Sequence, residues 1–577
     1  MKDSPPPFVS VVTVNFNGIF FLKTLFDSIS SLDYPQEKLQ VIMVDNCSSD
    51  GSVSYVKNNY PFVEILEINK NLGFAGGNNE GAKAAKGDYI AFINNDCAVE
   101  KDWLSSLTYA LKEKEAQNIK VGGAGSKVLF YFKYLTLKIS FEDIIREDLR
   151  NESANEFHAL IKDLKINTGS DEFSQNDSDG RDDYKQILYA FANKSFKYSS
   201  GFSDFGRDDD RNIIRKVRNN AIVRVPVADM GTDMEIELMV SFVKPGANLK
   251  VSVENDNSGE TLGFSFFDAK GRSRQCDVKN TSAGFLGEAK SSMSEYTDRL
   301  KNIAAENSGG TENTRAQDHF ELESDEADDS GSVKSFKENK SFADEDTDTD
   351  KITRDAQNST NFVKTVIKIP AEKYSLCQNI VNSCGSMINK SFYAREINYE
   401  CVDDGTLQQS FEVFALPGSS FILNKKLVME TGLFDEKFFT YYEDIDLFWR
   451  SALKGWKFFA VPGSVARHFH CGSGEEWSRS FTYHVLRNRL LMIYRCCWFS
   501  GFLKNYLSFC ASALINLLYL AAAKAKGRKL DRPDILIRIK IFFEFFIIMV
   551  LHFGKRFKIR TSSSMTDKSI KGWQQDF

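Results

Sequence analysis

The sequence contains few cysteines and no excess of positive charge. It has ten cysteines in 577 residues, and none belongs to a CxxC pair or another zinc-binding spacing, so we expect neither a disulfide scaffold nor a zinc ribbon. The formal net charge of −6 argues against a nucleic-acid-binding protein with a broad basic surface. Residues 1–18 lack a charged segment followed by a long apolar one, so no secretory signal is expected and a cytoplasmic location is the default.

Apolar residues are plentiful, at 42%, and their pattern divides the chain into four zones. In residues 8–140, short runs typical of strands alternate with amphipathic stretches typical of helices. The strand-like runs are 10–15, 39–45, 63–69 and 88–93, and the helix-like stretches are 20–32 and 76–86. This alternation predicts a parallel sheet covered by helices on both faces. Residues 376–497 return to the same α/β character.

Residues 141–375 differ in composition and form an insertion between the two α/β zones. A small β-domain, made from about 210–285 plus 361–370, is predicted from strand-like runs at 222–227, 234–243, 249–254 and 363–369. The acidic segment of about 286–360 is predicted to be disordered, because 321–350 holds twelve acidic residues, three lysines and few large apolar residues.

Residues 498–577 are apolar and cationic. Residues 505–523 contain no formal charge, and a second apolar stretch at 541–553 is interrupted by Glu544. A membrane-spanning helix needs about 20 predominantly apolar residues, so the first stretch is borderline and the second is short. Two interpretations stay open. The helices lie on a membrane surface with their cations at anionic head groups, or they are buried in a helical subdomain or dimer interface.

Polar residues follow the strand-like runs of the first zone, where ligands bind in open parallel sheets. Asn15 and Asn17 follow the first run, and Asp45 ends the second. A carboxylate at that place can accept hydrogen bonds from a nucleobase or ribose, or it can stabilise a turn. Asp50, shortly after it, is expected to cap the helix predicted at 52–59.

Two further clusters extend this pattern. Residues 69–81 are rich in glycine and asparagine, which suits close approach of the backbone to a diphosphate or ribose, although many such loops are only turns. The fourth apolar run leads directly into Asn94, Asn95 and Asp96. Asp96, together with Asn94, offers the oxygen ligands that a hard divalent cation prefers, or it is an ordinary loop aspartate.

The segment 432–450 contains the densest group of acidic and aromatic residues. Glu443 and Asp444 stand directly after an aromatic run, and apolar surroundings raise the pKa of a carboxylate. Both also stand where a helix N-cap is expected. Asp446 and Arg450 are four residues apart on the predicted helix and can form a structural ion pair.

A pair of histidines follows this segment. His468 and His470 alternate along a predicted strand and are therefore expected to point to opposite faces, so that at most one of them faces a site.

Taken in order, these segments resemble the family-2 nucleotide-sugar glycosyltransferases that build bacterial surface polysaccharides, and in particular the rhamnosyltransferase-like members. The resemblance covers 8–139 and about 376–497, and it rests on the ordered segments VTVNFNG, VDNCSSDG, NLGFAGGNN, NNDCAV, GLFDEKFFTYYEDIDLFWR and GWKFFAVP and on the histidine after them. It implies a Rossmann-like GT-A domain, interrupted by the mostly β insertion and followed by C-terminal helices. The zones then become a nucleotide-sugar-binding half (8–140), an insertion (141–375), an acceptor and catalytic half (376–497) and C-terminal helices (498–577).

The resemblance also implies roles for individual residues. Asp444 is the general base that deprotonates the acceptor hydroxyl, with Glu443 beside it as a second catalytic residue. Asp96 and His468 hold a divalent cation, Mg or Mn, and the family's Asp-x-Asp reads Asn94-Asn95-Asp96 here. The residues implied to bind the donor are Asn15, Asn17, Asp45, Asn69, Gly73, Phe74, Asn78, Asn94 and Asn95.

The expected function is inverting, metal-dependent transfer of a hexose or deoxyhexose from a nucleoside-diphosphate sugar to a glycan or lipid-linked acceptor. The expected location is the cytoplasm, with peripheral contact through 498–560 to the inner face of the cell membrane; no nucleic-acid partner is expected, and oligomerisation stays open. The alternatives are another nucleotidyl-sugar chemistry on the same fold, and a glycan-binding or assembly protein with a degenerate transferase core.

Overall fold

The structure is a computed structural model of the 577-residue chain. It describes residues 5–143, 157–168, 195–207, 213–228, 234–242, 247–254, 261–267, 273–276, 363–369, 375–470, 478–525, 533–566 and 570–575. The acidic segment 286–360, for which the sequence predicts disorder, lies outside these residues.

The helices and strands are numbered here in chain order. The helices are α1 (Ile19–Ser30), α2 (Ser52–Asn59), α3 (Gly73–Ala84), α4 (Trp103–Ala116), α5 (Lys425–Thr431), α6 (Glu443–Ala452), α7 (Arg479–Cys496), α8 (Phe499–Ala525) and α9 (Pro533–Thr561). The strands are β1 (Val9–Asn15), β2 (Leu39–Asp45), β3 (Val63–Glu67), β4 (Tyr89–Ile93), β5 (Cys97–Val99), β6 (Val121–Phe130), β7 (Lys133–Asp143), β8 (Phe157–Thr168), β9 (Lys197–Arg207), β10 (Ile213–Val227), β11 (Met234–Phe242), β12 (Ala247–Glu254), β13 (Thr261–Phe267), β14 (Ser273–Cys276), β15 (Val363–Ile369), β16 (Val381–Ser383), β17 (Ser386–Asn389), β18 (Ala394–Glu396), β19 (Phe411–Val413), β20 (Ser420–Asn424), β21 (Lys457–His468) and β22 (Gln574–Gln575).

A ten-stranded sheet joins the two α/β zones of the sequence. Its main order is β19-β21-β6-β20-β4-β1-β2-β3, with β5 on β21 and β16 on β6. The first four strands are parallel, and β20 enters antiparallel between β4 and β6. Strands from both sides of the insertion therefore alternate in one sheet. This is the Rossmann-like GT-A arrangement that the resemblance implies.

Neighbouring residues of the central strand serve two different cores. Val11 points to the face covered by α1 and α4, where Phe26 and Trp103 are fully buried. Val12 points to the opposite face, where it belongs to the cluster that contains Phe448 of α6. Burial on both faces explains why the strands read as continuous apolar runs rather than as alternating ones.

The insertion contributes a second, antiparallel sheet in the order β14-β13-β12-β7-β10-β8-β11-β15, with β9 on β10. This sheet is larger than the predicted segment of 210–285 plus 361–370. It already begins at Lys133 in β7, which pairs in register with both β10 and β12. Its apolar cluster includes Leu137 and Val223. The same cluster also contains Phe21 of α1 and Phe469, which follows β21. The predicted start of the insertion at residue 141 lies too late in the chain, because β7 is as apolar as the strands before it.

The C-terminal helices pack on the second α/β zone. Residues of α7 are buried along most of its length, and α9 lies against α7 through Ile541, Phe545 and Ile548. Among the described residues, α8 is the one helix whose length and apolar composition, over Phe499–Ala522, would allow it to cross a membrane, and 17% of that stretch is buried.

Candidate active site

The carboxyl ends of β1, β2 and β4 meet at one edge of the sheet, and Asn15 connects them. Its amide nitrogen donates to Ser48 Oγ at 3.1 Å and to Asp45 Oδ1 at 3.4 Å, and its amide oxygen accepts from Asn95 Nδ2 at 2.9 Å. Asn15 is fully buried and Asn95 nearly so. Both asparagines therefore fix three loops at this edge of the sheet, and direct donor binding by either stays a prediction.

Gly18 shows how tightly this junction is packed. A Cβ atom at Gly18 would lie 2.2 Å from Asn95 Nδ2 and 2.7 Å from Asn15 Oδ1. Any side chain would separate the β1 and β4 loops, which explains why glycine follows Asn17 in the first motif.

Asp45 and Asn17 lie closer to the pocket. Asp45 Oδ2 accepts the backbone N–H of Ser48 at 3.0 Å, so this carboxylate stabilises its own turn. Asn17 is exposed, has a left-handed φ of 50°, and accepts the N–H of Ser49 at 2.8 Å. The interactions bring the β1 and β2 loops together and leave Asn17 available at the surface.

The glycine-rich segment forms the start of α3. Gly73 has a φ of +70°, and a Cβ there would lie 2.5 Å from the carbonyl oxygen of Phe439, so only glycine permits this contact between the two halves. Asn46 fixes this loop through two hydrogen bonds. Its side chain donates to the Gly73 carbonyl at 3.1 Å and accepts the Leu72 N–H at 2.9 Å. The sequence offered no signal for Asn46 beyond its place after Asp45.

The remaining predicted donor residues divide into exposed and packed ones. Asn69 is exposed and Asn94 is partly exposed, so both can face a ligand. Phe74 instead packs edge-on against Phe434, with ring centroids 5.7 Å apart. Asn78 is buried and donates to the Phe74 carbonyl within α3. These contacts give Phe74 and Asn78 a packing role in the start of α3, and their predicted donor contacts stay a prediction.

Asp96 and His468 come together from separate strands, as the candidate metal pair requires. β21 pairs with β5 at His468 and Cys97, which brings His468 Nε2 to 3.2 Å from Asp96 Oδ1. That oxygen is buried and accepts no hydrogen bond from the described residues. Burial raises the pKa of Asp96, but the nearby His468 more than offsets this and holds the pKa below its usual value.

The surroundings of this pair fit a divalent cation. Cys97 Sγ lies in the same cluster, whose ligand atoms are all within 4.8 Å of one another. Burial raises the pKa of the Cys97 thiol well above its usual value, so the thiol stays protonated and is a poor ligand. The ligands left are one carboxylate and one imidazole, a set that accommodates Mg or Mn.

His468 and His470 do not point to opposite faces, so that prediction was wrong. The chain leaves the strand at His470, whose φ is 45°, and the two rings lie 5.8 Å apart. Asn382 lies between them, with Oδ1 3.3 Å from His468 Nδ1 and Nδ2 3.2 Å from His470 Nδ1. In this arrangement His468 Nδ1–H donates to Asn382, which leaves Nε2 directed at Asp96 and free to bind a metal.

Asp444 is connected to the candidate metal pair through a contact with Gly418 and a backbone hydrogen bond of Ser419. A Cβ at Gly418 would lie 2.8 Å from Asp444 Oδ2, so the carboxylate rests against the Gly418 backbone. The next residue, Ser419, accepts the Asn94 N–H at 3.0 Å, two positions before Asp96. Burial raises the pKa of Asp444 to about 6, which suits a base that works near neutral pH.

Two more carboxylates lie near Asp444. Glu443 begins α6 and is buried, and its Oε2 has no hydrogen-bond partner among the described residues. Burial and the adjacent Asp444 raise the pKa of Glu443 well above its usual value. Glu396 accepts hydrogen bonds from the hydroxyls of Ser383 and Ser386.

Glu396 was missed from the sequence because it belongs to a short strand without a motif. Burial raises its pKa to about 7, the Ser383 hydroxyl opposes this, and the charge of Asp444 raises it further. Its electrostatic interactions with both Asp444 and His468 place it beside the candidate base and the candidate metal pair.

The aromatic run before α6 forms a loop with an unusual backbone. Phe439, Tyr441 and Tyr442 have φ values of 65°, 66° and 68°, a region that non-glycine residues rarely adopt. The buried amide of Asn488 in α7 holds this loop by donating to the carbonyls of Phe438, Thr440 and Tyr441 at 2.8, 2.8 and 2.9 Å. Phe439 and Tyr441 remain more than a third exposed, while the Phe439 ring stacks on His484 and the Tyr441 ring packs edge-on against Phe481 of α7.

Asp446 lies away from this pocket, in an ion-pair network. Its Oδ2 accepts from Arg450 Nε at 2.7 Å, and Arg450 also donates to the carbonyls of Thr431 and Leu433. The pair predicted from the four-residue spacing is therefore present. Asp446 is fully buried and its role is structural.

Comparisons with known proteins point to one family. Residues 10–166 match the family model described as Glycosyl transferase family 2. Glycosyltransferase AglE of Haloferax volcanii is 31% identical over 101 residues, 17% of this chain and 33% of that protein. The poly(ribitol-phosphate) beta-N-acetylglucosaminyltransferase TarS of Staphylococcus aureus is 25% identical over 107 residues, 18% of this chain and 19% of that protein.

A solved structure of S. aureus TarS residues 1–349 in complex with UDP-GlcNAc is 20% identical, and the similarity covers 22% of this chain and 39% of that one, with a TM-score of 0.19. The chain thus covers 33% of the length of AglE and 19% of the length of full-length TarS. The family match covers the first α/β zone and the beginning of the insertion, and it supports a glycosyltransferase of family 2.

Proposed function

We propose that the protein transfers a sugar from a nucleoside-diphosphate donor to a hydroxyl of a glycan or lipid-linked acceptor, with inversion at the anomeric carbon. The observation that supports this most directly is the position of Asp444. A carboxylate with a pKa raised to about 6 lies against Gly418, next to the residue that binds the Asn94 backbone. In this proposal the base Asp444 and the pair of Asp96 and His468 act at the same edge of the sheet.

The donor half of the site follows from the loops of β1, β2 and β4. In this proposal Asp45 and the exposed Asn17 and Asn69 contact the nucleoside. The N–H groups of Leu72, Gly73 and Ala75 at the start of α3 already donate within the protein, so they are not open donors for the diphosphate. Asp96 and His468 would hold a divalent cation, which when bound neutralises charge on the departing diphosphate.

The acceptor half is built by the aromatic loop and Asp444. The exposed rings of Phe439 and Tyr441 offer apolar faces to a sugar, and Asp444 takes the proton of the acceptor hydroxyl. The hydroxyl oxygen attacks the anomeric carbon as the bond to the diphosphate oxygen breaks, and the nucleoside diphosphate leaves. A single displacement of this kind inverts the anomeric configuration. Glu443, beside Asp444, orients the acceptor.

The relatives favour a surface polymer as the final product. TarS is named for transfer to poly(ribitol-phosphate), and another relative, TuaG of Bacillus subtilis, is named for teichuronic acid biosynthesis. We place this protein in the cytoplasm, where nucleotide sugars are made. We further propose that the transferred sugar is a deoxyhexose, as in a rhamnosyltransferase-like enzyme.

Donor hydrolysis tests the proposal without knowledge of the acceptor. The full-length protein is incubated with a panel of nucleoside-diphosphate sugars, with Mg, Mn or excess chelator, and released nucleoside diphosphate is measured. We expect slow, metal-dependent release from one donor class. Calorimetric titration of Asp96→Ala with Mn and the nucleoside diphosphate should show sharply weakened binding, and His468→Ala a smaller loss in the same direction.

Two results would contradict the proposal. Absence of release from every donor would favour a glycan-binding protein with a degenerate transferase core. Full activity in excess chelator would remove the cation from the mechanism.

A further inference from the structure

The two C-terminal helices expose an apolar surface found nowhere else in the described parts of the chain. Of 24 large apolar side chains exposed there, sixteen belong to α8 and α9, eight to each helix. The most exposed include Ile515 and Leu518 of α8 and Phe543, Val550 and Leu551 of α9. A contiguous apolar patch on two helices is larger than a soluble monomer normally leaves open.

This surface is the outer side of helices that are firmly packed on their inner side. Phe502, Tyr506 and Phe509 of α8 are buried, as are Ile541 and Phe545 of α9. We call the exposed side of α8 and α9 the outer face. Because the inner face supplies the contact with the rest of the protein, the outer face is not needed to hold the helices in place.

The charge of the two helices is strongly positive, although the whole chain has a net charge of −6. Phe499–Ala525 and Pro533–Thr561 together contain eight Lys or Arg residues and two acidic ones. One of the acidic residues, Glu544, is turned inward and accepts a hydrogen bond from Tyr483 Oη of α7 at 2.8 Å. Lys540 lies over the Tyr483 ring and pairs with Glu544, so it belongs to the inner side, whereas Lys504 of α8 and Lys558 of α9 are exposed beside the apolar side chains.

We propose that the outer face of α8 and α9 binds the surface of an anionic lipid bilayer, with its apolar side chains below the head groups and its lysines among them. Amphipathic helices with cationic flanks bind in this way, by apolar burial together with attraction to anionic lipids. A second copy of this chain fits the surface less well, because it would bring two cationic faces together. Packing of the first half of α8 on the protein favours helices that lie on the membrane over a helix that crosses it.

Binding through the outer face would fix the position of the bilayer relative to the candidate active site. α7 connects the two, because Tyr483 binds Glu544 of α9 while Asn488 holds the aromatic loop. If the proposed transfer is correct, an acceptor carried on a lipid reaches the aromatic loop from the membrane side. Membrane binding itself does not depend on the proposed transfer.

Vesicle co-sedimentation of the full-length protein tests the proposal. Preformed vesicles of phosphatidylglycerol and phosphatidylcholine are compared with vesicles of phosphatidylcholine alone. We expect the wild-type protein to bind anionic vesicles, more weakly at high salt, and Val550→Glu/Leu551→Glu to lower the partition coefficient at least tenfold. The matched control, Tyr109→Glu/Met429→Glu, places two charges at similarly exposed apolar positions elsewhere and should bind within twofold of wild type.

The outcomes against the proposal are specific. Wild-type protein that stays in the supernatant with anionic vesicles overturns it, as does a Val550→Glu/Leu551→Glu variant that binds like wild type. A third result would assign the outer face to a second copy: light scattering shows that the wild-type protein is a dimer that does not bind vesicles, and that the Val550→Glu/Leu551→Glu variant is a monomer. Donor hydrolysis in lipid-free solution is measured in parallel, so that failure of the proposed transfer is seen separately from failure of membrane binding.

Discussion

At the scale of single residues, Asp444 is the group on which the proposed chemistry depends. Asp444→Asn keeps the shape of the side chain but cannot accept a proton, so we expect sugar transfer or donor hydrolysis to fall by about 10²–10⁴-fold. Donor affinity should change little, because the base meets the acceptor. Glu436→Gln, a change at an exposed carboxylate of the preceding loop, is the control and should leave the rate unchanged.

The pKa of Asp444 gives this prediction a pH signature. The base acts only when it is ionised, and burial raises its pKa to about 6, so kcat/KM should rise with pH through about 6 and level off above it. An Asp444→Asn rate within about threefold of wild type would move the role to Glu443 or Glu396. A wild-type profile that is flat between pH 5 and 8 would contradict a base with a raised pKa.

Gly418 provides a second, independent test of the same carboxylate. In Gly418→Ala the new methyl group would lie 2.8 Å from Asp444 Oδ2, so the end of the Asp444 side chain must move. The movement of one side chain costs little stability, but it displaces the base. We expect a loss of at least tenfold in rate with a nearly unchanged melting temperature. Gly463→Ala, where a methyl group meets open space, should behave like wild type in both measurements.

The sequence could predict individual residues only where a motif fixed their neighbours. Asp96 and His468 were identified from their motifs, and their contact follows from the pairing of β5 with β21. Asn382 and Glu396 lie in short strands without a recognisable pattern, and only the folded chain brings them to the site. The burial of Asn15 depends on packing between distant segments and is not visible in a local pattern.

At the scale of elements, the aromatic loop is held in a costly conformation by α7. Left-handed backbone at a non-glycine residue costs on the order of 1–3 kcal/mol, and three aromatic residues adopt it here. Asn488→Ala leaves three carbonyls without their donor, so we expect the free energy of unfolding to fall by about 1–3 kcal/mol. Acceptor KM should rise, while donor hydrolysis is retained.

Denaturant unfolding and acceptor kinetics measure these two effects. Asn59→Ala, which removes one hydrogen bond from an exposed amide to the Tyr55 carbonyl, is the matched control and should change neither by much. If Asn488→Ala lowers stability but leaves acceptor KM as in wild type, the aromatic loop does not bind the acceptor.

The elements of the nucleotide-binding half were the most predictable part of the fold. The predicted strand at 39–45 and helix at 52–59 agree with β2 and α2, because apolar runs bounded by polar turns leave little choice of boundary. The sheet of the insertion was predicted too small. Antiparallel pairing between strands far apart in sequence, such as β7 with β12, has no local signature.

At the scale of the whole molecule, a single sheet is assembled from both sides of a long insertion. β20 lies between β4 and β6, so the two halves cannot separate without breaking the sheet. The insertion sheet is joined to this assembly through an apolar cluster that includes Phe21 and Phe469. Phe469 directly follows His468, so the insertion sheet and the candidate metal pair share a boundary.

The acidic segment 286–360 should be dispensable for both sheets. The strand that follows it, β15, pairs in register with β11 from Met234 to Val240, and the composition of 286–360 offers few apolar side chains with which to pack. We expect replacement of 286–360 by a short Gly/Ser linker to leave donor binding intact and the melting temperature within about 2 °C of wild type, since closing a shorter flexible loop changes little. As a control, further removal of 363–369 takes away β15, exposes one side of β11 and should lower the melting temperature clearly. Loss of soluble expression or of donor binding in the linker variant alone would mean that the acidic segment packs on the folded protein, and calorimetric titration with the nucleoside diphosphate would show it.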